Sequence, residues 1–362
     1  MNASIPPASY DSARSGRYDP LLFRYAVVWS ALTLCNLFAG GSVTSHEAGL
    51  AVPDWPTTYG HNMFTYPPSR WVGGILFEHG HRLIASTVGL LTIGMVVLIT
   101  LRDPRRWMRR LSYLALGAVI AQGALGGLTV LYFLPPPVSI AHAGLAQLFF
   151  CLTAAMTLFL SRGWRERSAG RIEFGGVGLR RLCAAATALI YLQVLLGAVV
   201  RHTKSGLAIT DFPKSYGQWI PPLDPASIDR INQERRWSEN YDRLPVITAG
   251  QIGLHFAHRV NALVVTAVVV ATALTALRQA RGCAGLRGPS GMLLALLAGQ
   301  LTLGALTIWT LRNPWINTAH VAVGAALLAT SLVLALRVRR ATVPIPLRQV
   351  AASPVAAEGA PA

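Results

Sequence analysis

The stretch Phe77-Glu-His-Gly-His-Arg82 runs directly into the apolar segment Leu83-Ile-Ala-Ser-Thr-Val-Gly-Leu-Leu-Thr-Ile-Gly-Met-Val-Val-Leu-Ile99. Together they are long enough to cross a bilayer as a helix. Four ionisable side chains, in positions 78–82, therefore lie at the start of a predicted membrane span. A charge at mid-bilayer depth costs about 2.5–3.5 kcal/mol, so this cluster indicates a function that offsets its cost.

The whole chain has the composition of a polytopic membrane protein. Of its 362 residues, 52% are hydrophobic and 13% are charged, which is too apolar for an ordinary soluble domain. The formal net charge of +17 does not indicate nucleic-acid binding, because Lys and Arg form short clusters between apolar runs. The expected environment is a lipid bilayer, with no nucleic acid among the partners.

Eight apolar stretches are long enough to span the membrane, so the sequence predicts an all-α polytopic membrane protein with eight transmembrane helices. They lie near 24–41, 80–101, 111–132, 140–161, 180–200, 254–277, 290–311 and 317–337.

Counts of Lys and Arg between the spans predict the orientation. The loops after spans 2, 4 and 6 carry five, six and three, whereas those after spans 1, 3 and 7 carry one, none and one. The loop after span 5 carries seven, but it has about fifty residues, and long loops weigh less in this rule. We expect both termini in the cytoplasm, and loops 42–78 and 201–253 at the outer face of a bacterial inner (plasma) membrane.

The two halves of the chain resemble each other. At a shift of 157, GLAVPDWPTTYG (49–60) aligns with GLAITDFPKSYG (206–217), and at a shift of 177, EHGHR (78–82) aligns with HFAHR (255–259). We expect two pseudo-symmetric four-helix bundles. The predicted divisions are a disordered cytoplasmic tail at 1–23, bundles at 24–161 and 180–337, a cytoplasmic linker at 162–179 and a disordered tail at 338–362.

Only four of the nine histidines coincide between the halves: His81 with His258, and His142 with His320. In each half the two lie on different spans at similar depth, toward the outer face. Two histidines facing each other across a four-helix bundle are the usual axial ligands of heme iron. Zinc is the alternative metal, but it would want Cys or carboxylate companions at short spacing, and only Glu78 is near. The other alternative is a set of interfacial hydrogen-bonding histidines.

Glu78 is not duplicated, because His255 occupies its place in the second half. It shares a helical face with His81, where a carboxyl group could take a proton or stabilise positive charge on a reacting carbon. The alternative is a salt bridge to Arg82. Arg82 and Arg259 follow the candidate ligands directly and suit heme propionates, with snorkelling to the interface as the alternative.

In this order the motifs resemble the heme A synthase family. They are eight spans in two halves, PDWP at 53–56, EHGHR at 78–82, its echo HR at 258–259, and histidines in spans 4 and 8. The likeness covers roughly residues 24–337. It implies that the chain oxidises the C8 methyl group of heme O to a formyl group by successive hydroxylations, which gives heme A for terminal oxidases.

The resemblance also implies how the two halves divide the work. The first half would hold heme O as substrate through His81, His142 and Arg82, with Glu78 as the catalytic residue. The second half would hold a resident heme b through His258, His320 and Arg259. Implied partners are heme O synthase, oxidase assembly factors and an electron donor that the sequence does not identify.

The chain departs from one common family pattern, because loop 42–78 has no cysteine where many relatives carry a pair. The second outer loop is about twenty residues longer than the first. In it, an Asp N-cap followed by Pro predicts a short surface helix over 224–237, as a lid over the C-terminal heme or a docking site. Two other functions remain open: a diheme b-type electron-transfer protein and a heme carrier. Neither explains the exchange of Glu78 for His255.

Overall fold

The computed structural model describes residues 18–166, 176–237 and 244–342, which contain helices and no β-strand. Eight of these helices, all but α5 and α7, are long and apolar enough to cross a membrane, which confirms the predicted all-α, eight-span fold. The helices are α1 (Pro20–Ser45), α2 (Gly74–Arg102), α3 (Arg106–Leu131), α4 (Pro136–Leu160), α5 (Arg162–Arg165), α6 (Gly176–His202), α7 (Pro225–Trp237), α8 (Ala249–Gln279), α9 (Arg287–Trp309) and α10 (Pro314–Thr342).

Most helix ends extend beyond the predicted spans. Helix α1 begins at Pro20 because Asp19 caps it, accepting hydrogen bonds from the backbone N–H groups of Leu21 (2.9 Å) and Leu22 (3.2 Å). Helix α10 continues to Thr342, five residues past the predicted boundary. Hydropathy marks only the apolar core of the bilayer, whereas the helix continues through the polar interface. The rest of the predicted tails, 1–17 and 343–362, and the linker residues 167–175 lie outside the described residues.

The spanning helices pack as two rings of four. In the first half α1 and α3 each contact α2 and α4, and in the second half α6 and α9 each contact α8 and α10. The rings meet where α10 packs on α1 and α4, and where α6 packs on α4. Each ring has its own apolar core. The four helices that carry the candidate histidines, α2, α4, α8 and α10, are alternate spans and so run in the same direction: α2 and α8 begin after long loops, and α4 and α10 begin on the same side after the short turns 132–135 and 310–313.

The two long loops, residues 46–73 (the first loop) and 203–248 (the second loop), turn in the same way. The Asp54 carboxylate accepts hydrogen bonds from the N–H groups of Tyr59 (2.8 Å) and Gly60 (2.9 Å). In the second loop, the Asp211 carboxylate accepts the equivalent bonds from Tyr216 and Gly217 at 2.7 and 2.9 Å. The alignment of the two halves thus extends from residue types to hydrogen bonds.

The predicted helix of the second loop is present as α7 (Pro225–Trp237), and Asp224 accepts a hydrogen bond from the Ser227 N–H at 2.9 Å. One face of α7 is anchored. Ile231 is buried in a small apolar cluster with residues of the same loop, and Arg235 donates to the carbonyl oxygens of Leu207 (2.9 Å) and Pro245 (3.1 Å). Helix α7 is therefore docked on the second loop itself.

Candidate functional site

Each of the four candidate histidines packs against a glycine of the preceding spanning helix. A Cβ atom added to the glycine would lie 3.0 Å from the ring Cε1 at the first site and 3.2 Å from it at the other three. Real Cβ atoms rarely come so close, so glycine is what allows the ring and the helix backbone to meet. The pairs are His81 on Gly40, His142 on Gly126, His258 on Gly197 and His320 on Gly304.

One helical turn before each glycine stands a side-chain amide. Gln122 donates to the backbone oxygen of His142 at 2.9 Å, and Gln193 does the same to His258 at 3.0 Å. The Nε2 atoms of Gln300 and His320 are 3.3 Å apart. At the fourth site the hydrogen bond joins the backbone of Asn36 to the ring of His81. The mid-span positions of Gln122 and Gln300 predict hydrogen bonds between helices, which the structure has; we did not predict that the amides meet the histidines, nor that the glycines meet the rings. The signal for them is the pattern amide-x-x-x-Gly, which the sequence contains at 36–40, 122–126, 193–197 and 300–304.

The structure brings the histidines together in pairs. His81 and His142 are close enough to interact electrostatically, and so are His258 and His320. The rings of His81, His142 and His320 are buried, their Nδ1 atoms have no hydrogen bond of standard geometry in the described ranges, and each ring is next to the backbone of the amide residue, Asn36, Gln122 or Gln300. A neutral imidazole that keeps its proton on one ring nitrogen leaves the electron pair of the other nitrogen free to bind a metal. A glycine cradle and two facing imidazoles fit a heme with two axial ligands.

Zinc fits the site less well than heme. Across the described residues, no group of three or more His, Cys, Asp and Glu side chains is placed to hold a metal ion by itself. The facing histidines offer two ligands per site, whereas zinc sites in proteins use three or four. A tetrapyrrole supplies the other four ligands of its iron, so two histidines are sufficient.

Glu78 is 3% exposed and is held at both carboxylate oxygens. One oxygen accepts from the Arg82 guanidinium at 2.6 Å, and the other accepts from the backbone N–H of Val52 at 2.7 Å. The salt bridge that we weighed as the alternative use of Glu78 is therefore present. In the second half, His255 accepts the equivalent bond from the Ile209 N–H at 3.2 Å. Glu78 on α2 and His255 on α8 each hydrogen-bond the long loop that precedes their helix, and of the two only Glu78 is an acid.

Arg82 and Arg259, which follow His81 and His258, bind the loops. Arg82 donates to the carbonyl oxygens of Val52 (2.7 Å), Asp54 (2.7 Å) and Thr57 (3.0 Å) as well as to Glu78. Arg259 donates to the carbonyl oxygens of Lys214 (2.9 Å) and Ile209 (3.2 Å), at matching positions of the repeat. A propionate at either guanidinium would compete with these bonds.

His79, which the repeat leaves without an equivalent, is also part of the loop support. It is fully buried, its Nδ1 lies 3.1 Å from Oγ1 of Thr58, and its ring stands at 67° to Trp71 with 4.7 Å between ring centres. The first loop is thus fixed to the start of α2 by Glu78, His79 and Arg82 in one helical turn.

Eight spanning helices with a pair of buried histidines in each half define the class, which is a multi-pass membrane protein with paired histidines inside its helical rings. A family model for cytochrome oxidase assembly proteins, COX15-CtaA, matches residues 23–332. The chain belongs to this family.

Curated relatives cover most of the chain. A protein of Symbiobacterium thermophilum is 29% identical over 282 residues, which cover 76% of this chain and 82% of the relative. One of Geobacillus kaustophilus is 27% identical over 92% of this chain and 96% of its own length. One of Methylobacterium radiotolerans is 29% identical over 88% and 89%. Each of the three is named heme A synthase.

Proposed function

We propose that this chain is a heme A synthase, a membrane-bound oxidoreductase that converts the C8 methyl group of heme O into a formyl group by successive hydroxylations. The observation that carries the proposal is the duplicated pair of facing histidines with a carboxylate beside only one of them. The reaction itself is supported by relatives of this name that align over most of their length.

The bundle formed by residues 24–161 is proposed to hold heme O between His81 and His142. Glu78 is the catalytic residue: it takes up a proton as the methyl group is oxidised, or stabilises the positive charge that develops on the carbon. The bonds from Arg82 and Val52 orient its carboxylate before the substrate arrives. Each hydroxylation replaces one C–H bond by C–OH, a two-electron oxidation for which an external oxidant is required, and after the second hydroxylation the resulting diol loses water to give the aldehyde.

The bundle formed by residues 180–337 is proposed to hold a resident heme b between His258 and His320. When bound, this heme supplies one-electron transfer. Two amides in series position His258, the first of the two residues proposed to bind this heme. Asn261 donates to Oε1 of Gln193 at 2.7 Å, and Gln193 in turn contacts the ring of His258 at 3.2 Å. In the first half Ile84 occupies the place of Asn261. His81 is thus held less firmly than His258, as befits a site that must admit and release its heme.

The setting of the reaction is part of the proposal. Both termini lie in the cytoplasm and both heme sites lie toward the outer face of the plasma membrane, with α7 as the lid of the second site. Heme O synthase delivers the substrate, oxidase assembly factors receive the product, and a separate donor supplies electrons.

The test is mass analysis of hemes extracted from membranes that express this chain in a host that makes heme O but no heme A. Heme A or its hydroxylated precursor is expected. Glu78→Gln should keep the heme content and lose the product, whereas Glu47→Gln, at an exposed carboxylate of the first loop, should keep both. Heme b alone in the folded wild-type protein would point to an electron carrier. Unchanged heme A with Glu78→Gln would remove Glu78 from the reaction.

A further inference from the structure

Heme carries two propionate carboxylates, and cations are expected to bind them where they are partly buried. The two arginines beside the ligands are engaged by loop carbonyl oxygens, as described above. The structure contains another guanidinium near the second site. Arg201 lies in the last turn of α6, at the end of the helix that carries the second loop.

Arg201 is half-buried and has no carboxylate partner among the residues that the structure describes. Its Nη2 donates to the carbonyl oxygen of Gly41 (3.2 Å) and to Oγ of Ser45 (2.5 Å), both on α1. Its Nε is buried and lacks a hydrogen-bond partner within the described ranges. The charged group near enough to act on it is Arg312, a second cation. A partly buried positive charge beside a second cation is costly unless an anion joins them.

The location of Arg201 relates it to the candidate ligands. The Ser45 hydroxyl that accepts from Arg201 also accepts from Asn317 (3.3 Å) and Thr318 (3.0 Å), which lie three and two residues before His320 on α10. The residue after Arg201, His202, is within electrostatic range of His142. The guanidinium therefore lies at the seam between the two rings, on the side of the second histidine pair, at the end of the helices where the long loops begin.

The repeat makes these cations specific to the second half. At a shift of 157, Thr44 stands in the place of Arg201, and at a shift of 178, Leu134 stands in the place of Arg312. In the first half Leu134 packs on Gly49, and in the second the Arg312 side chain passes the equivalent Gly206, with Cδ 3.7 Å from an added Cβ. The second half therefore has two cations, Arg201 and Arg312, where the first half has the neutral Thr44 and Leu134.

We propose that Arg201, with Arg312 beside it, is the carboxylate-binding site for the propionates of the heme held by His258 and His320. The inference rests on the proposed function, since it assigns a position to the carboxylates of the resident heme. Arg201 would use its free Nε together with one Nη, in the paired geometry that guanidinium groups form with carboxylates. In the same position it keeps α6 against α1 through Ser45, so that a filled site also joins the two rings.

The experiment titrates the full-length apoprotein in detergent with hemin and with hemin dimethyl ester, in which both carboxylates are blocked. All proteins carry His81→Ala and His142→Ala, so that only the second pair can form a six-coordinate heme. Arg201→Gln should weaken hemin binding about ten- to hundred-fold, the loss expected for a charged hydrogen bond, and leave binding of the ester unchanged. Arg201→Lys should lie between, which keeps the test valid if the Gln variant is not recovered folded.

Lys204→Gln is the matched control, because it removes an exposed positive charge just beyond the same end of α6. It should change neither affinity. Equal weakening of hemin and ester by Arg201→Gln would mean that Arg201 only packs helices, and an unchanged hemin affinity would mean that it does not meet the propionates; either result overturns the inference. Failure of the unsubstituted Arg201 protein to form a six-coordinate hemin complex would instead count against the proposed second heme site.

Discussion

The glycine under each histidine ring shows what single residues contribute here. The repeat alone selects His81, His142, His258 and His320 out of nine histidines. The glycines were not predictable in the same way, because the chain has 33 of them and most spanning helices contain several. Their role depends on which helix face meets a neighbour, and that is set by packing between helices.

Gly304→Ala is expected to reduce the retention of heme in the second half. The new Cβ would lie 3.2 Å from Cε1 of His320, so the ring must shift, and overpacking of this kind costs about 1–3 kcal/mol. Heme b per protein after purification, with its absorption spectrum, is the measurement. Gly299→Ala on the same helix is the control, because its Cβ would meet nothing within 4 Å. Equal heme content in the two variants would show that the heme does not depend on the contact between Gly304 and the His320 ring.

The hydrogen-bond partners of Arg82 and Arg259 could not be predicted from the sequence either. The positions of Arg82 and Arg259, next to the ligands, suggested propionates, but the nearest acceptors are carbonyl oxygens of the loops. A loop presents its carbonyl oxygens only once it is folded, so no sequence pattern reports them. Arg201 was not predicted either, because the only mark it carries in the sequence is that the neutral Thr44 stands at the equivalent position of the first half.

At the scale of the helix ends, Asp103 joins α2, α3 and α5 on the side opposite the histidines. Its side chain is fully buried, and it accepts hydrogen bonds from Arg105 at 2.7 Å and from Arg165. Burial acts to raise the pKa of Asp103, but the hydrogen bond and charge of Arg105 and the charge of Arg165 hold it below the usual 3.8. A lowered pKa means that the carboxylate stabilises the fold above pH 3.8, and that this contribution is lost as the pH falls through the lowered value.

Asp103→Asn should therefore lower the thermal unfolding temperature in detergent at neutral pH. Removing one member of a buried ion pair costs about 3–5 kcal/mol. Glu166→Gln is the control from the same region, because its pair with Arg162 is largely exposed and such pairs contribute about 0–1 kcal/mol. The difference between the two variants should shrink as the pH approaches the lowered pKa of Asp103. A constant difference across that range would show that charge is not what Asp103 contributes.

The existence of the helices was predictable from hydropathy, whereas their ends were not. The Asp19 cap and Pro20 extend α1 beyond its apolar run, and α10 continues past the charged residues that closed the predicted span. Hydropathy measures transfer into the bilayer core, and helix boundaries depend on capping and on the interface as well.

For the whole molecule, the eight spans and the repeated loop motif were predictable from the sequence. The contact between the rings could not be predicted from hydropathy. Inside a lipid bilayer, the partner of a helix is decided by close packing of small residues and not by hydrophobicity. Gly41 lies at this contact, where a Cβ would be 3.6–3.7 Å from Thr318 and Val321 of α10, an ordinary van der Waals distance.

The orientation of the molecule is a prediction that reporter fusions can check. Alkaline phosphatase, which folds only outside the cytoplasm, should be inactive when fused after Glu166 and active when fused after Trp237. The reason is the asymmetry of Lys and Arg between alternate loops. A green fluorescent fusion at each point serves as the complementary control and should give the reverse pattern. Phosphatase activity after Glu166 and none after Trp237 would invert the predicted topology.

The matching hydrogen bonds of the two loops have a consequence for how the chain came to have two different sites. Two separate copies of one half, assembled as a symmetric pair, would carry every substitution twice, so an acid gained at one heme would appear at the other as well. Joining the copies in a single polypeptide removes that constraint. Glu78 opposite His255, Ile84 opposite Asn261 and Thr44 opposite Arg201 are differences that two identical chains in a symmetric pair could not carry, so a single chain allows its two halves to differ in chemistry.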